Sequence, residues 1–509
     1  MINKKYVYAL MLLPVLLFAW GEDSYITSTN SSQYPVSYDL VIPNDTMMFC
    51  AYEFYDYNNS NLNTFRIYMS QDTGRTWSYL NGFYYISDSS FLYNEIALDY
   101  MYDSLIVFFP SKYLDTAYVI LLPFADLSAY SIRGPIVFSM DTVLDIKFQK
   151  VYADNIHHLY AMAMGKSADT SLIEVLRSDD NGNTWNSIIR RKISWSSDIA
   201  LRLLDFAARP YGGDTIELVY AESYTNTSNN DYSIYYEVWK DVISQSPVNI
   251  SALHLLKSTG NYRECAVDIH GNMIVWTIVD SYRLYFAWST DDGNTIQLRE
   301  YPYNSDFTTI HKIDMVTWYG LWGGGFNLSF VGYDGTDTRV WYQEIIDYDD
   351  SIGFSDYRGM VSDSNTYTYL ANFSPYYKPR IKNYANLLTP AIMWHNDYYH
   401  LVGTPPIPIY DSTQFYIDYM AYTNVAERHV SESNLKVNLI GDVLKANVPF
   451  KGKLRVRILD IAGRVAEERV IEAEGNTLSM DISPLKQGIY FMTVEGGNRV
   501  LRGKFIKLK

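Results

Sequence analysis

The chain has 509 residues, 48% hydrophobic and 19% charged, which is too long for one ordinary core and excludes an intrinsically disordered protein. Its 48 Tyr, with 22 Phe and 11 Trp, suit pleated, half-buried strands and, where exposed, platforms for sugars. A net charge of −16 argues against nucleic acid or an anionic membrane as partner, and two Cys with eight scattered His give no metal-binding spacing and no sign of a cofactor.

Lys4 and Lys5 precede an apolar run from Tyr6 to Phe18, followed by Ala19-Trp20-Gly21. A basic start, a short apolar core and a small-x-small end predict a secretory signal peptide over 1–21, cleaved after Gly21. The run is too short to span a bilayer and no other long apolar stretch follows, so no transmembrane segment is expected in the mature protein. The absence of a Cys after the core argues against a lipid anchor. Export permits disulfides, but Cys50 and Cys265 fall in different repeats and are expected to be two buried free thiols.

Three segments then share the pattern S-x-D-x-G-x-T-W: Ser70, Asp72, Gly74 and Trp77; Ser178, Asp180, Gly182 and Trp185; Ser289, Asp291 and Gly293, with Ile296 in place of the Trp. Each follows an alternating strand (Phe65–Met69, Leu172–Arg177, Arg283–Trp288), so each predicts a hairpin turn. The Gly supplies positive φ, the Ser and Asp bond nearby amides, and the Trp folds back over the hairpin. The pattern resembles the Asp box, or BNR repeat, of sialidases and other β-propellers, in which these residues build a turn between outer strands and carry no catalysis.

A second repeat is an apolar-Asp-apolar triplet centred on Asp39, Asp99, Asp145, Asp205, Asp268 and Asp314, with Asn383 as a seventh copy. Each triplet is followed by a turn and an apolar run, and the spacings of 60, 46, 60, 63, 46 and 69 residues suit four-stranded units. The S-x-D-x-G turns fall in units one, three and five. The reading is all-β: a seven-bladed propeller over 22–430, with six or eight blades as alternatives. The triplet Asp is read as a turn-former at the end of each first strand. Gly323-Gly324-Gly325 is read as an inter-strand loop in unit six.

Near Ser431 the composition changes: Tyr almost disappears, and 431–509 carries 14 basic and 9 acidic residues while 22–430 carries 25 and 48, a balance of −23. The alternation in Lys453–Asp460, the turn at Ile461–Arg464 and the strand Gly488–Val494 predict a small β-sandwich. Asp460 with Gly463 and Arg464, the strand opening Gly488-Ile489-Tyr490, and the basic last strand with Lys504, Lys507 and Lys509 resemble the type A C-terminal sorting domain of the type IX (Por) secretion system. The resemblance implies that 431–509 addresses the chain to that machinery, and that the protein ends outside a bacterial cell or on its outer surface.

The sialidase resemblance implies a carboxylate-binding arginine triad, an Asp acid/base and a Tyr nucleophile helped by a Glu; arginine serves because its planar fork binds a carboxylate bidentately. Phe65-Arg66-Ile67-Tyr68 is the nearest match to the family's first arginine motif, but it lacks the Pro and runs into an outer turn. The remaining candidates precede a first-strand Asp: Arg202, Arg263 and Arg380, with Tyr262 and Glu264 as a neighbouring Tyr–Glu pair. They share no motif. The leading functional reading is a carbohydrate- or protein-binding propeller displayed outside the cell. An exo-sialidase or related glycoside hydrolase and a structural surface protein are the alternatives.

Overall fold

Alternating apolar residues over Thr142–Ala153 make a strand with one face to each neighbouring sheet. Asp154 (φ +50°) and Asn155 (φ +63°) reverse it in two left-handed steps that match strand twist. Ile156–Ser167 runs back with Ile156 opposite Ala153, Thr170–Ser178 pairs next, and Asn186–Ile193 lies outermost. The computed structural model describes residues 19–507 with interruptions in connecting segments, the longest at 363–377 and 422–436. The expected leader lies almost wholly outside the described residues.

The chain divides into two compact units, one of Trp20–Ala421 and one holding Tyr422–Lys509; the expected boundary at 430/431 lies outside the described residues. Among the described residues of the first unit, the antiparallel meander recurs in seven sheets. Their first strands are Gln33–Val41, Ala97–Met101, Thr142–Ala153, Ile199–Gly212, Arg263–His270, Thr309–Gly320 and Arg380–Asn383. Each first strand neighbours the next, and the seventh returns to the first, so the sheets ring a common axis as in a propeller. The seventh sheet is completed by the chain's own start: Ser24–Ser28 pairs antiparallel with Ile407–Ala421, Ser24 opposite Ile417.

Apolar side chains pack between successive sheets, as where Phe108 of the second sheet stacks on Phe148 of the third at 4.7 Å. Each such fully buried side chain contributes roughly 1.5–3 kcal/mol. Cys50 and Cys265 are free and buried. Among the described residues the one helical turn is Asn304–Asp306, and no helix is long and apolar enough to cross a membrane.

Two readings of the repeat need correction. The triplet Asp does not end its strand: Asp39, Asp99, Asp205, Asp268 and Asp314 lie within their strands and line the axial cavity, and Asp145 is buried within its strand. Gly323-Gly324-Gly325 is not a loop but the start of strand Gly323–Tyr333, paired with Trp318–Gly320. The glycines serve close approach, since a Cβ on Gly324 would lie 2.0 Å from His270 Nε2 and one on Gly325 2.0 Å from the Ile345 carbonyl.

The second unit is the expected sandwich. One sheet holds Val437–Ile440, Val443–Asn447 and Thr477–Asp481; the other holds Val465–Ala473, Gly452–Asp460, Gly488–Gly496 and Arg499–Lys507. Leu444, Val456, Leu478 and Met492 are among the core residues between them.

Candidate functional site

In an antiparallel meander the first–second and third–fourth turns leave from one end, and the chain enters the first strand at the other. The three S-x-D-x-G turns are third–fourth turns and define one face of the ring. In the second of them Ser178 Oγ donates to Asp180 Oδ1 (2.8 Å) and accepts from the Gly182 amide (2.9 Å). Asp180 in turn takes the Thr184 amide (2.8 Å) and hydroxyl (2.7 Å). Ser70, Asp72, Gly74 and Thr76 repeat this set, as do Ser289, Asp291, Gly293 and Thr295. Trp77 and Trp185 fold back so that Nε1 donates to the Gly carbonyl at 2.9 and 3.2 Å. Each turn also abuts the preceding sheet: Gly74 meets Ile417, Gly182 meets Val119, and the Gly293 carbonyl accepts from Tyr236 (2.6 Å).

On the axis, one side chain links each sheet to the next. Asp39 accepts from the Leu98 amide (2.8 Å), Asp99 pairs with Lys150 (2.7 Å), and Gln149 donates to the Phe206 carbonyl (2.7 Å). Asp205 accepts from Val267 (2.9 Å), Asp268 from Thr317 (2.7 Å) and Asp314 from Ile381 (3.0 Å). Arg380 Nε donates to the Tyr38 carbonyl (3.0 Å), which closes the circle. These residues surround a cavity of about 150 Å³. Its cations lie beside acceptors: Lys378 is 3.0 Å from Asp314, and Lys382 is 3.8 Å from Asp39. Burial pushes the Lys147 amine down to about 8, although Asp145 opposes the change. Burial raises the Asp268 and Asp314 carboxyls. Burial also opposes the charge on Lys378, but Asp314 and Asp205 more than offset it and hold the amine above its usual range.

Of the sequence-derived candidates whose side chains are described, Arg202 and Glu264 come together and Arg380 lines the axial cavity. Arg380 is buried, lines the cavity, and stands 4.0 Å from Asp39 and 3.8 Å from Asp314. Arg202 and Glu264 line a smaller space with Lys147 and Lys378. Glu264 accepts from Lys312 Nζ (2.8 Å) and the Ile313 amide (3.3 Å). Burial raises the Glu264 carboxyl, but Lys312 and Arg202 prevail and hold it below the usual range, so it stays charged. Arg263 opens its strand, while Tyr262 lies outside the described residues. Arg66 sits on a third strand, donating to Tyr52 (3.3 Å) away from the axis.

Sequence reasoning missed two buried networks between the third and fourth sheets. Arg177 grips Asp241 with both carboxylate oxygens at 2.8 Å, Tyr160 donates to Asp241 (2.8 Å), and Asp179 joins Arg177 to His158. Arg191 contacts Glu222 (2.6 Å) and Glu237 (3.2 Å), while Tyr220 donates to Glu237. Tyr220 and Glu237 do form a Tyr–Glu pair, but it is sealed between sheets. Burial, then Glu222, drives the Tyr220 phenol well above its usual range, so it remains a donor. No contiguous motif marks it, because the two are cross-strand partners 17 residues apart on one hairpin.

In the second unit Lys507 is buried, and Nζ donates to the Ile482 (2.8 Å) and Ser483 (3.2 Å) carbonyls. Tyr490 donates to the Lys486 carbonyl (2.8 Å). Asp460 lies opposite Tyr490, Gly488 opposite Lys507 and Lys504 opposite Phe491. Gly463, Arg464 and Lys509 lie outside the described residues.

Residues 442–508 match the family described as the secretion system C-terminal sorting domain. This tail indicates recognition by the type IX secretion machinery, hence export to the outer membrane, cell surface or medium. No curated protein sequence matches the chain. Among solved structures, the chain is similar to the α-L-arabinofuranosidase Arb93A of Fusarium graminearum, at 11% identity and TM-score 0.39 over 78% of this chain and 97% of that one. It is also similar to the NanB sialidase of Streptococcus pneumoniae (12%, TM-score 0.39, 78% and 70% covered). A third is the phage phi92 endosialidase (10%, TM-score 0.38, 95% and 87% covered).

Proposed function

We propose that this is an exported propeller, 22–430, carried to the cell surface by its sorting domain, 431–509, after removal of a signal peptide, 1–21. There it binds a carbohydrate without hydrolysing sialosides. The observation that carries the reading is the state of the axial cations. Arg380 donates to a backbone carbonyl, and Lys378 lies beside Asp314, Lys150 beside Asp99 and Lys382 beside Asp39. A clamp for a substrate carboxylate needs guanidinium forks whose donors face the ligand, and these cations face protein acceptors instead. The balance of −23 over 22–430 further disfavours an anionic sugar. The S-x-D-x-G turns serve as structural clamps between sheets. Binding is supported by the surface, where Tyr25, Tyr79, Tyr102, Tyr130, Tyr152, Tyr211, Tyr282 and Tyr348 are exposed. The test is a paired assay of the purified chain: turnover of a fluorogenic sialoside, and retention on an array of neutral and sialylated glycans. Retention without turnover is expected. Turnover abolished by Arg380→Ala would reverse the reading.

A further inference from the structure

The face carrying the S-x-D-x-G turns also carries the first–second turns, and two adjacent ones hold exposed aromatic rings. Tyr102 sits at the turn of the second sheet and is 63% exposed. Tyr152, in the third sheet, is 51% exposed and pairs across its hairpin with His157. The His157 ring joins them, with its centroid 4.4 Å from Tyr102 at 77° and 4.8 Å from Tyr152 at 50°. Tyr102 holds φ +51°, a left-handed conformation that glycine or asparagine adopts with less strain than an aromatic residue. A bulky ring kept exposed on a strained turn tip is poorly explained by packing, and strain of this kind clusters where ligands are held.

Polar groups border the shelf. His157 Nδ1 is buried and has no hydrogen-bond partner among the described residues. Burial and then the nearby Lys150 amine lower the imidazole's affinity for a proton, so the ring is neutral and can donate or accept. Lys150 and Asp99, paired at 2.7 Å, line the axial cavity beside this shelf, and the Lys150 ammonium lies 4.2 Å above the Tyr100 ring.

We infer that Tyr102, Tyr152 and His157 form a glycan-binding subsite on the face carrying the S-x-D-x-G turns, and that its ligand is an uncharged polysaccharide chain. This rests on the carbohydrate-binding reading above and gives it a place and a ligand class. A pyranose has apolar C–H faces that lie on aromatic rings and equatorial hydroxyls that need mixed donors and acceptors. The shelf supplies rings, the neutral imidazole and the Asp99–Lys150 pair. It is open, so it suits residues within a chain instead of a chain end. Asp99, Asp103 and Asp154 lie on these strands and turns, and together with the acidic body they select against carboxylated sugars.

The test is calorimetric titration of the full chain with cellohexaose, xylohexaose, mannohexaose and sialyllactose as probes. At least one neutral hexasaccharide should bind, and sialyllactose should not. Tyr102→Ala and Tyr152→Ala should each weaken binding about tenfold with an unchanged melting temperature, while Tyr102→Phe and Tyr152→Phe retain it, because stacking needs the ring and not the hydroxyl. Neutral-sugar binding that survives both alanine variants would overturn the subsite and leave the carbohydrate-binding reading standing. Binding of no probe would overturn both.

Discussion

Replacing Asp314 by Ala removes a joint of the axial circle. Its carboxylate accepts the Ile381 amide at 3.0 Å and lies 3.0 Å from the Lys378 ammonium; the two side chains are only 12% and 9% exposed. Without it the sixth and seventh sheets lose their axial bond, and Lys378 keeps a buried charge without its nearest counter-ion. Breaking a buried pair from one side costs about 3–5 kcal/mol, and an orphaned buried amide about 1–3 kcal/mol. Asp205 still faces Lys378 and recovers part of this, so the expected loss is about 4 kcal/mol. Asp314→Asn keeps an acceptor for Ile381 and should lose less. The double variant Asp314→Leu with Lys378→Met removes both charges and should regain more than half of the single variant's loss, because no unpaired ion remains. Urea unfolding followed by tryptophan fluorescence reads all three. A loss below about 1 kcal/mol for Asp314→Ala, or a double variant as unstable as the single, would refute the reasoning.

In the second S-x-D-x-G turn, Asp180→Ala removes two bonds to Thr184 and one from Ser178 and should lower stability by about 1–2 kcal/mol, read as a lower melting temperature with glycan binding intact. Glu217 is buried near Lys240 and Asp292; burial, then the Asp292 carboxylate, push it up to about 7 from an ordinary 4.5. A folded-state value above the unfolded one favours the fold at low pH, so about 3 kcal/mol present below pH 4.5 should be lost as pH rises through 7. Glu217→Gln should flatten that slope in melting experiments; an unchanged slope would remove Glu217 as its source. Lys507→Met leaves the Ile482 and Ser483 carbonyls without their buried donor and should lower the sorting domain's stability by about 1–3 kcal/mol, with the chain accumulating in the periplasm by fractionation and immunoblot.

What the sequence showed most clearly was local. The three S-x-D-x-G turns are closed by bonds within five residues, so their spacing alone revealed them, as the Gly488-Ile489-Tyr490 strand revealed the sandwich. The triplets marked the first strand of each sheet correctly, yet the role of their Asp was misread. The bond that Asp205 makes goes to Val267, 62 residues away, and nothing near Asp205 signals it. Ring closure by Ser24–Ser28 was equally hidden, because a five-residue strand gains meaning only beside Ile407–Ala421. Arg191, Glu222 and Glu237 are unremarkable in sequence and meet only when two sheets pack. Arg380, which lines the axial cavity, was found by its place before a triplet, but its bond to the Tyr38 carbonyl follows from the closed circle and not from its neighbours.

Turnover of a fluorogenic sialoside by the purified chain, followed from acid to neutral pH beside Arg202→Ala, Arg263→Ala and Arg380→Ala, tests the central claim most directly. With the axial cations committed to protein acceptors, the expected result is no turnover by any of the four proteins, while neutral glycans are still bound. Robust turnover by the unaltered chain that vanishes in a folded arginine variant would contradict the claim and identify the axis as an active site.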